Sequence, residues 1–414
     1  MRIGILTYHC HSNFGAQLQA ISSVGYFKRM GHEPIVLHWY PKDLEEMLSK
    51  RIPVEQTDCH KVFTEINLPI SNLCRTTKEL AAEIERLSLD ALFVGSDALF
   101  KYTPLKRRKR FSIRKFRFVD LTPLSCQDLL DNPFFGKIGE LLSREIPMVA
   151  FSVSSQNCPY TKMTKKEVAI MSKQMDNFLS ITVRDEWTKS MVETINKRKN
   201  IKITPDPVFA FNQNCYISIP SKEETIRRYG LKDNYILMSF SDWYNKESYI
   251  RRLAVEFEKS GYQTVGLPMP EKLYAPGMSK KIDLPLNPID WYALIKYSSG
   301  YIGERMHPII VSIHNNIPFV VFDEYGVIDR YLGGLLKIHH LQSSKTYLIL
   351  RCAGLEKQLY SYFEHKKKPS PHKVVKLFQS FDRKRCSNFS SLYQKEYEEG
   401  MKRVLEIFIK NGNL

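Results

Sequence analysis

Arg305 and His307 stand one residue apart in the segment Gly303-Glu304-Arg305-Met306-His307-Pro308. Arginine presents a planar fork of N–H donors that fits a carboxylate or a phosphate at two points. Histidine takes up or gives away a proton near neutral pH. Together they hold the parts for gripping an anion and moving a proton beside it. The segment lies between Tyr301-Ile302, a predicted short strand, and Ile309 to His314, a predicted helix. A second turn of this kind spans residues 11–20, His-Ser-Asn-Phe-Gly-Ala-Gln-Leu-Gln-Ala. It leaves the apolar run Ile3 to Leu6 and enters a helix whose inner face is Ile21, Val24 and Phe27. Asn13 and Gly15 suit a tight turn, and Gln17 and Gln19 add amides. A third strand, Ser88 to Val94, ends in Gly95-Ser96-Asp97, where Asp97 can act as a base or accept from a hydroxyl. A fourth, Ser180 to Val183, ends in Arg184-Asp185. Each side chain also has a plainer use. Asp97 could cap a following helix, Arg184 and Asp185 could pair on the surface, and Asn13 and Gly15 could serve the turn alone.

Strand ends that feed helix starts are where α/β proteins gather ligands, because free N–H groups and helix dipoles point to one spot. The rest of the chain supplies elements to position them. Further strands are predicted at Ile35 to Trp39 and Pro147 to Val153, with a helix from Lys165 to Asn177. Two prolines in Thr204-Pro205-Asp206-Pro207 then interrupt the alternation, and Asp206 reads as part of a hinge. A second set follows, with strands at Tyr235 to Phe240, Gln263 to Leu267 and Pro318 to Phe322 and a helix from Lys246 to Lys259. Such alternation implies parallel sheets wrapped by helices. The fold expected is α/β, with two Rossmann-like doubly wound domains facing a cleft over residues 1–203 and 204–350. A helical, charged extension over 351–414 completes it, with Lys366-Lys367-Lys368 breaking its pattern before Pro369.

At 414 residues the chain has room for two such cores. Its 61 Lys and Arg against 44 Asp and Glu give a formal charge of +17, which favours polyanionic partners. The densest basic run, Lys106-Arg107-Arg108-Lys109-Arg110, continues in Arg114, Lys115 and Arg117 and is interleaved with Phe111, Phe116 and Phe118. As a solvated loop it would need no partner. As a docking element, Lys106 to Arg117 suits an anionic membrane surface, each cation there adding about 1 kcal/mol. No helix-turn-helix, RRM or zinc-finger signature accompanies the run, which argues against nucleic acid. The eight cysteines are scattered without metal-binding spacing and read as reduced thiols, so no metal site is expected. No apolar run is long enough to span a bilayer, and the first residues do not read as a signal peptide. The expected location is cytoplasmic, with possible peripheral attachment to the inner membrane face.

Five segments in order resemble the polysaccharide pyruvyl transferase family. They are Asn13-Phe-Gly-Ala-Gln-Leu-Gln-Ala20, Asp90-Ala-Leu-Phe-Val-Gly-Ser-Asp97, Thr182-Val-Arg-Asp185, Asp206-Pro207, and Arg305-Met306-His307 with Ile317-Pro318. The resemblance runs from residue 1 to about residue 330. It implies a GT-B-like pair of Rossmann-type domains with the active site in the cleft. It also implies transfer of pyruvyl from phosphoenolpyruvate to two hydroxyls of a sugar, giving a cyclic ketal with no cofactor, on an acceptor that is free, nucleotide-linked or lipid-linked. Arg305 and Arg184 fall on donor-binding positions and His307 on one associated with activity. Asp97 is the second catalytic candidate, and Asn13, Gly15, Gln17 and Ser96 are substrate-binding candidates. Many members follow Gly-Ser-Asp with Gln and Trp, where this chain has Ala98, Leu99 and Phe100 before its basic insert. Three other functions remain compatible with the sequence alone: a nucleotide-sugar glycosyltransferase on the same architecture, a catalytically silent glycan- or lipid-binding protein, and a nucleic-acid binder using the basic run.

Overall fold

The chain was analysed as a computed structural model that describes residues 1–10, 12–112, 116–242, 246–323, 326–331, 336–340, 343–362 and 368–412. His11, Arg114, Lys115, Lys366 and Lys367 lie outside the described residues. The apolar runs form two six-stranded sheets in which every pairing is parallel. The first contains β1 (Arg2–Leu6), β2 (Glu33–Val36), β3 (Ala91–Val94), β4 (Met148–Val153), β5 (Ser180–Val183) and β6 (Lys202–Ile203). Their order is β2-β1-β3-β4-β5-β6. Ile70 and Cys74 extend the β2 edge through parallel bridges to Val36 and Trp39. The second contains β7 (Tyr235–Ser239), β8 (Gln263–Gly266), β9 (Lys280–Lys281), β10 (Gly300–Gly303), β11 (Phe319–Asp323) and β12 (Leu359–Ser361). Its order is β9-β8-β7-β10-β11-β12. The central strands β3, β4, β7 and β11 are buried at every residue, as strands covered by helices on both faces must be.

Both sheets reverse their strand order beside their first strand, between β1 and β3 and between β7 and β10. Crevices at the carboxyl ends of strands open at such switch points. The turns leaving β1, β3 and β10 carry Asn13, Asp97 and Arg305, so the topology brings the sequence-identified turns to these crevices.

Five helices matter to the site: α1 (Phe14–Arg29), α2 (Glu186–Asn196), α3 (Met306–His314), α4 (Lys345–Ala353) and α5 (Arg383–Asn411). The Ile21, Val24 and Phe27 spacing predicts a helix with one inner face, yet Phe14 through Phe27 of α1 are all buried. The reason is that α1 is wedged between the two halves of the chain. Phe14 stacks on Trp291 of the second half at 5.2 Å and 13°. Ser22 Oγ donates to the Pro207 carbonyl at 2.7 Å. At Gly25 a Cβ would stand 1.7 Å from the Asn214 carbonyl oxygen, so the backbones touch directly.

The structure also moves the expected boundary at residue 350. β12, within the segment expected to be a helical extension, pairs with β11 at the edge of the second sheet. The helix Pro371–Gln379 sits beside it, with Phe378 edge-on to Phe257 at 5.3 Å and to Tyr262 at 5.6 Å. Only α5 leaves, and it returns to the first half. Tyr397 packs edge-on against Tyr26 at 6.0 Å and Phe151 at 5.8 Å, while Arg29 donates to Glu398 at 2.6 Å. Tyr397 is fully buried. Tyr397→Ala should therefore lower the unfolding free energy by about 3–5 kcal/mol, the usual cost of deleting a large core aromatic. A lower urea midpoint at unchanged slope is the expected readout.

Candidate active site

A buried guanidinium pairs with two carboxylates, one of which is the cleft residue Asp97. Arg184, leaving β5, donates through Nη1 to Asp206 Oδ2 and stands with Nη2 3.5 Å from Asp97 Oδ1. The Arg184 and Asp206 side chains are 6% and 1% exposed. Asp206 also accepts from Gln19 of α1 through Oδ2 and from the Val208 N–H at 3.0 Å through Oδ1. The Thr204 to Pro207 linker is thereby tied to β5 and α1. Asp185 does not pair with Arg184 on the surface. It caps α2, accepting from the Thr188 N–H at 2.7 Å, and takes a hydrogen bond from Ser154 Oγ at 2.8 Å. Nor does Asp97 cap a helix, since none follows it. Its Oδ1 accepts from the Ala98 N–H at 2.7 Å. Burial would raise the Asp97 carboxyl, but His307, Arg184 and Lys345 outweigh it and hold the group down at about 2.

His307 reaches this cluster from the other sheet, in the first turn of α3. Burial pushes the imidazole below its ordinary value, against the pull of Asp97 and Asp206. Nε2 is buried without a hydrogen-bond partner among the described residues. Gly15 explains how the ring fits. A Cβ there would lie 2.0 Å from His307 Cγ and 2.2 Å from Nδ1, so the missing side chain makes room for the imidazole across the domain boundary. That is a packing role, beyond the turn geometry read from sequence.

Two cavities flank the ring. One, of about 280 Å³, is lined by Tyr8, Asn13, Asp97, Lys101, Arg305, His307 and Lys345 among others. The other, of about 180 Å³, is lined by Phe14, Gly15, Glu271, Trp291, Arg305 and His307 among others. Asn13, Arg305, Met306 and His307 belong to both walls. Three helices begin at the larger cavity, marked by Asn13 before α1, Arg305 before α3 and Lys345 opening α4. Their amino-terminal N–H groups and dipoles favour an anion there. Asp97 and Arg305 hold φ at 102° and 78°, a region that costs a non-glycine residue on the order of 1–3 kcal/mol and recurs at functional sites.

The remaining candidates divide. Asn13 caps α1 by accepting from the Ala16 N–H at 3.2 Å. Arg305 pairs with Glu271 at 3.2 Å, about two-fifths exposed. Gln17 and Ser96, expected to contact substrate, line neither cavity. Gln17 is buried, donating to the His9 carbonyl and, at 2.8 Å, to Thr64 Oγ1. Ser96 donates to the Ser152 carbonyl at 2.6 Å and accepts at its own carbonyl from Thr7 Oγ1 at 3.0 Å. Both shape the turns from behind, through the Gln17 amide nitrogen and the Ser96 hydroxyl and carbonyl, which find backbone and side-chain partners in the core. Arg184 also lines neither cavity and stands behind Asp97. Lys345 was missed from sequence. It follows the hairpin Val327–Tyr331 and Leu336–His340, where no strand-end motif marks it. Burial and Arg184 push its ammonium down to about 8, against Asp97, Asp185 and Asp206. Among the described residues no group of three or more His, Cys, Asp or Glu side chains is placed to hold a metal ion.

Chemically, the site sets an imidazole of lowered basicity between two cavities, with a strongly acidic carboxylate and a concentration of positive charge on the lining of the larger one. The fold has known counterparts. UDP-GlcNAc 2-epimerase from Methanocaldococcus jannaschii is 10% identical, with 98% of this chain and 99% of that chain covered at a TM-score of 0.53. The Neisseria meningitidis UDP-GlcNAc 2-epimerase bound to UDP-GlcNAc is 10% identical, with 99% and 100% covered at 0.51. At that identity the likeness establishes the fold alone, two Rossmann-like domains of GT-B type. No curated protein matches the chain. The family model of polysaccharide pyruvyl transferases matches residues 13–324, from the cap of α1 to just beyond β11 and through Asp97, Arg184, Asp206, Arg305 and His307. The chain therefore belongs to the polysaccharide pyruvyl transferase family.

Proposed function

We propose that the protein transfers the pyruvyl group of phosphoenolpyruvate to two hydroxyls of a sugar in a lipid-linked polysaccharide precursor, forming a cyclic ketal. The observation that carries this reading is His307, shared by both cavities, with the strongly acidic Asp97 and the cations Lys101 and Lys345 on the lining of the larger one. In this scheme the larger cavity takes the donor. Arg305, Lys345 and the starts of α1, α3 and α4 hold its carboxylate and phosphate. Protonated His307, its charge steadied by Asp97, gives its proton to C3 of phosphoenolpyruvate, turning the methylene into methyl and leaving an oxocarbenium-like centre at C2. The first sugar hydroxyl then bonds to C2 and its proton passes to the now neutral His307, while the phosphate stays on C2. The second hydroxyl bonds to the same carbon as the C–O bond to phosphate breaks, and its proton leaves with the phosphate. Arg184 serves as a positioning residue, fixing Asp97 instead of touching the donor.

The basic insert supplies the reading's membrane half. Lys109–Ser112 and Arg117–Asp120 pair as an antiparallel hairpin. Phe116, Phe118 and Leu124 are 85%, 72% and 68% exposed beside its cations. Apolar side chains flanked by basic ones suit the headgroup region of an anionic bilayer. Lys101 and Gln127, before and after the insert, line the larger cavity, so docking here would bring a lipid-linked acceptor to the cleft. No helix among the described residues is long and apolar enough to cross a membrane.

Phosphoenolpyruvate titrated calorimetrically should bind saturably, and Arg305→Ala should weaken it at least tenfold. No saturable binding to the wild type would remove the donor assignment. Protonated Lys345 favours the anion and its neutral form does not. Affinity should therefore fall as pH rises through about 8, whereas Lys345→Met should bind weakly at pH 7 and show no such fall. Gly15→Ala pushes a methyl into the imidazole and should cut phosphate release with an accepted glycoside about a hundredfold, the scale of a 1 Å misplacement. Its donor binding should stay within a few-fold of wild type. Sedimentation with phosphatidylglycerol vesicles should carry the wild type down but not a Phe116→Ser, Phe118→Ser variant or one with Lys106 and Lys109 reversed to Glu. Unchanged binding by the reversed variant would rule the hairpin out as the anchor.

A further inference from the structure

The cavity of about 180 Å³ differs in chemistry from its neighbour across His307. Trp291 and Phe14, stacked on each other, give it an aromatic wall. Ser12 and Asn13 add polar groups, and Glu271 is the one carboxylate among the described residues on its lining. We infer that this cavity seats one sugar ring of the acceptor and that Glu271 selects its hydroxyls, freed for this when Arg305 turns to the donor anion. The inference rests on the pyruvyl-transfer reading and adds to it the place and the selecting group for the acceptor.

Three observations support it. The volume is on the scale of a single sugar ring, below the roughly 300–1,000 Å³ of sites that enclose drug-sized ligands. An aromatic face with a carboxylate beside it matches the apolar face and the hydroxyl donors of a pyranose, and it disfavours a second anion. The position also matches, since His307 on the shared wall would face a hydroxyl from one side and the donor carbon from the other.

The ion pair supplies the coupling. Glu271 Oε1 holds Arg305 Nη2 at 3.2 Å, while Glu271 Oε2 is buried with no hydrogen-bond partner among the described residues. Arg305 lines both cavities, so its fork can serve either the carboxylate or a donor anion. A phosphoenolpyruvate that draws Arg305 away leaves a carboxylate with two oxygens in need of donors, and sugar hydroxyls supply them. The donor should therefore bind first and raise the affinity for the sugar.

Two titrations on the full chain test this. Trp291 is one of four tryptophans, and its fluorescence should respond to a ring packed on it. Methyl β-D-glucopyranoside, methyl β-D-galactopyranoside and methyl α-D-mannopyranoside are titrated with saturating phosphoenolpyruvate present. At least one should give a saturable change that Trp291→Phe abolishes. Glu271→Gln should weaken that sugar about tenfold or more, as expected for loss of a charged hydrogen-bond acceptor. The same substitution should tighten phosphoenolpyruvate about two- to fivefold, because a partly exposed competing ion pair is gone. A merely structural role would weaken both ligands together. If phosphoenolpyruvate binds but no glycoside gives a Trp291 signal, or Glu271→Gln leaves the sugar affinity unchanged, the subsite assignment is overturned and the donor reading stands. If the glycoside signal depends on Glu271 while phosphoenolpyruvate fails to bind, the sugar subsite stands, and both the donor reading and the coupling through Arg305 fall.

Discussion

A buried guanidinium cannot lose its charge, so whatever surrounds Arg184 must neutralise it. Asp206 and Asp97 do this together, one from the linker and one from the end of β3. Removing either carboxylate would leave a charge stranded in the core, a loss of about 3–5 kcal/mol when one partner of a buried pair is deleted. The linker, the end of β5 and the Asp97 turn are thus held as one unit. Asp97 stays ionised as a consequence, and His307 meets a fixed negative charge whenever it gains a proton. The electrostatics of the site begin with this ion cluster.

Helix α1 carries the mechanical counterpart. It is buried along almost its whole length, yet it contains Gln17, Gln19, Ser22 and Ser23. Polar groups in such a place need hydrogen-bond partners. The Gln17 amide N–H donates to the His9 carbonyl and Thr64, that of Gln19 to Asp206, and Ser22 Oγ to the Pro207 carbonyl. Ser23 Oγ and the two glutamine Oε1 atoms are buried with no hydrogen-bond partner among the described residues. The same helix passes Gly15 beneath the His307 ring and Gly25 against the Asn214 backbone. One element therefore sets the distance between the two sheets and the seat of the imidazole.

Charge is divided unevenly across His307. Lys345, Lys101 and the start of α4 line the larger cavity beside Asp97; Glu271 and two aromatic rings line the smaller; and the starts of α1 and α3 border both. An anion and a polyol would sort themselves between two such cavities without further machinery. Arg305 is common to both, and its ion pair with Glu271 makes occupancy of one cavity matter to the other.

The sequence by itself determined the two parallel sheets, because runs such as Ile3 to Leu6 and Pro318 to Phe322 alternate with helical stretches. It also determined the turns that carry Asn13, Asp97 and Arg305, because strand ends feeding helix starts are local patterns. The places of His307 and Asp97 at strand ends were legible on those grounds, and the structure sets both on the lining of the larger cavity. Only the tertiary structure decided that Gln17 and Ser96 face the core, that Arg184 stands behind Asp97, and that Asp206 is an ion-pair partner as well as part of the linker. It alone placed β12 in the second sheet and Lys345 at the cavity. The physical reason is common to all of these. Strand and helix follow from periodicity over a few neighbouring residues, whereas a buried polar group is defined by partners that the fold brings from 22 residues away, as with Arg184 and Asp206, or 187, as with Gln19 and Asp206.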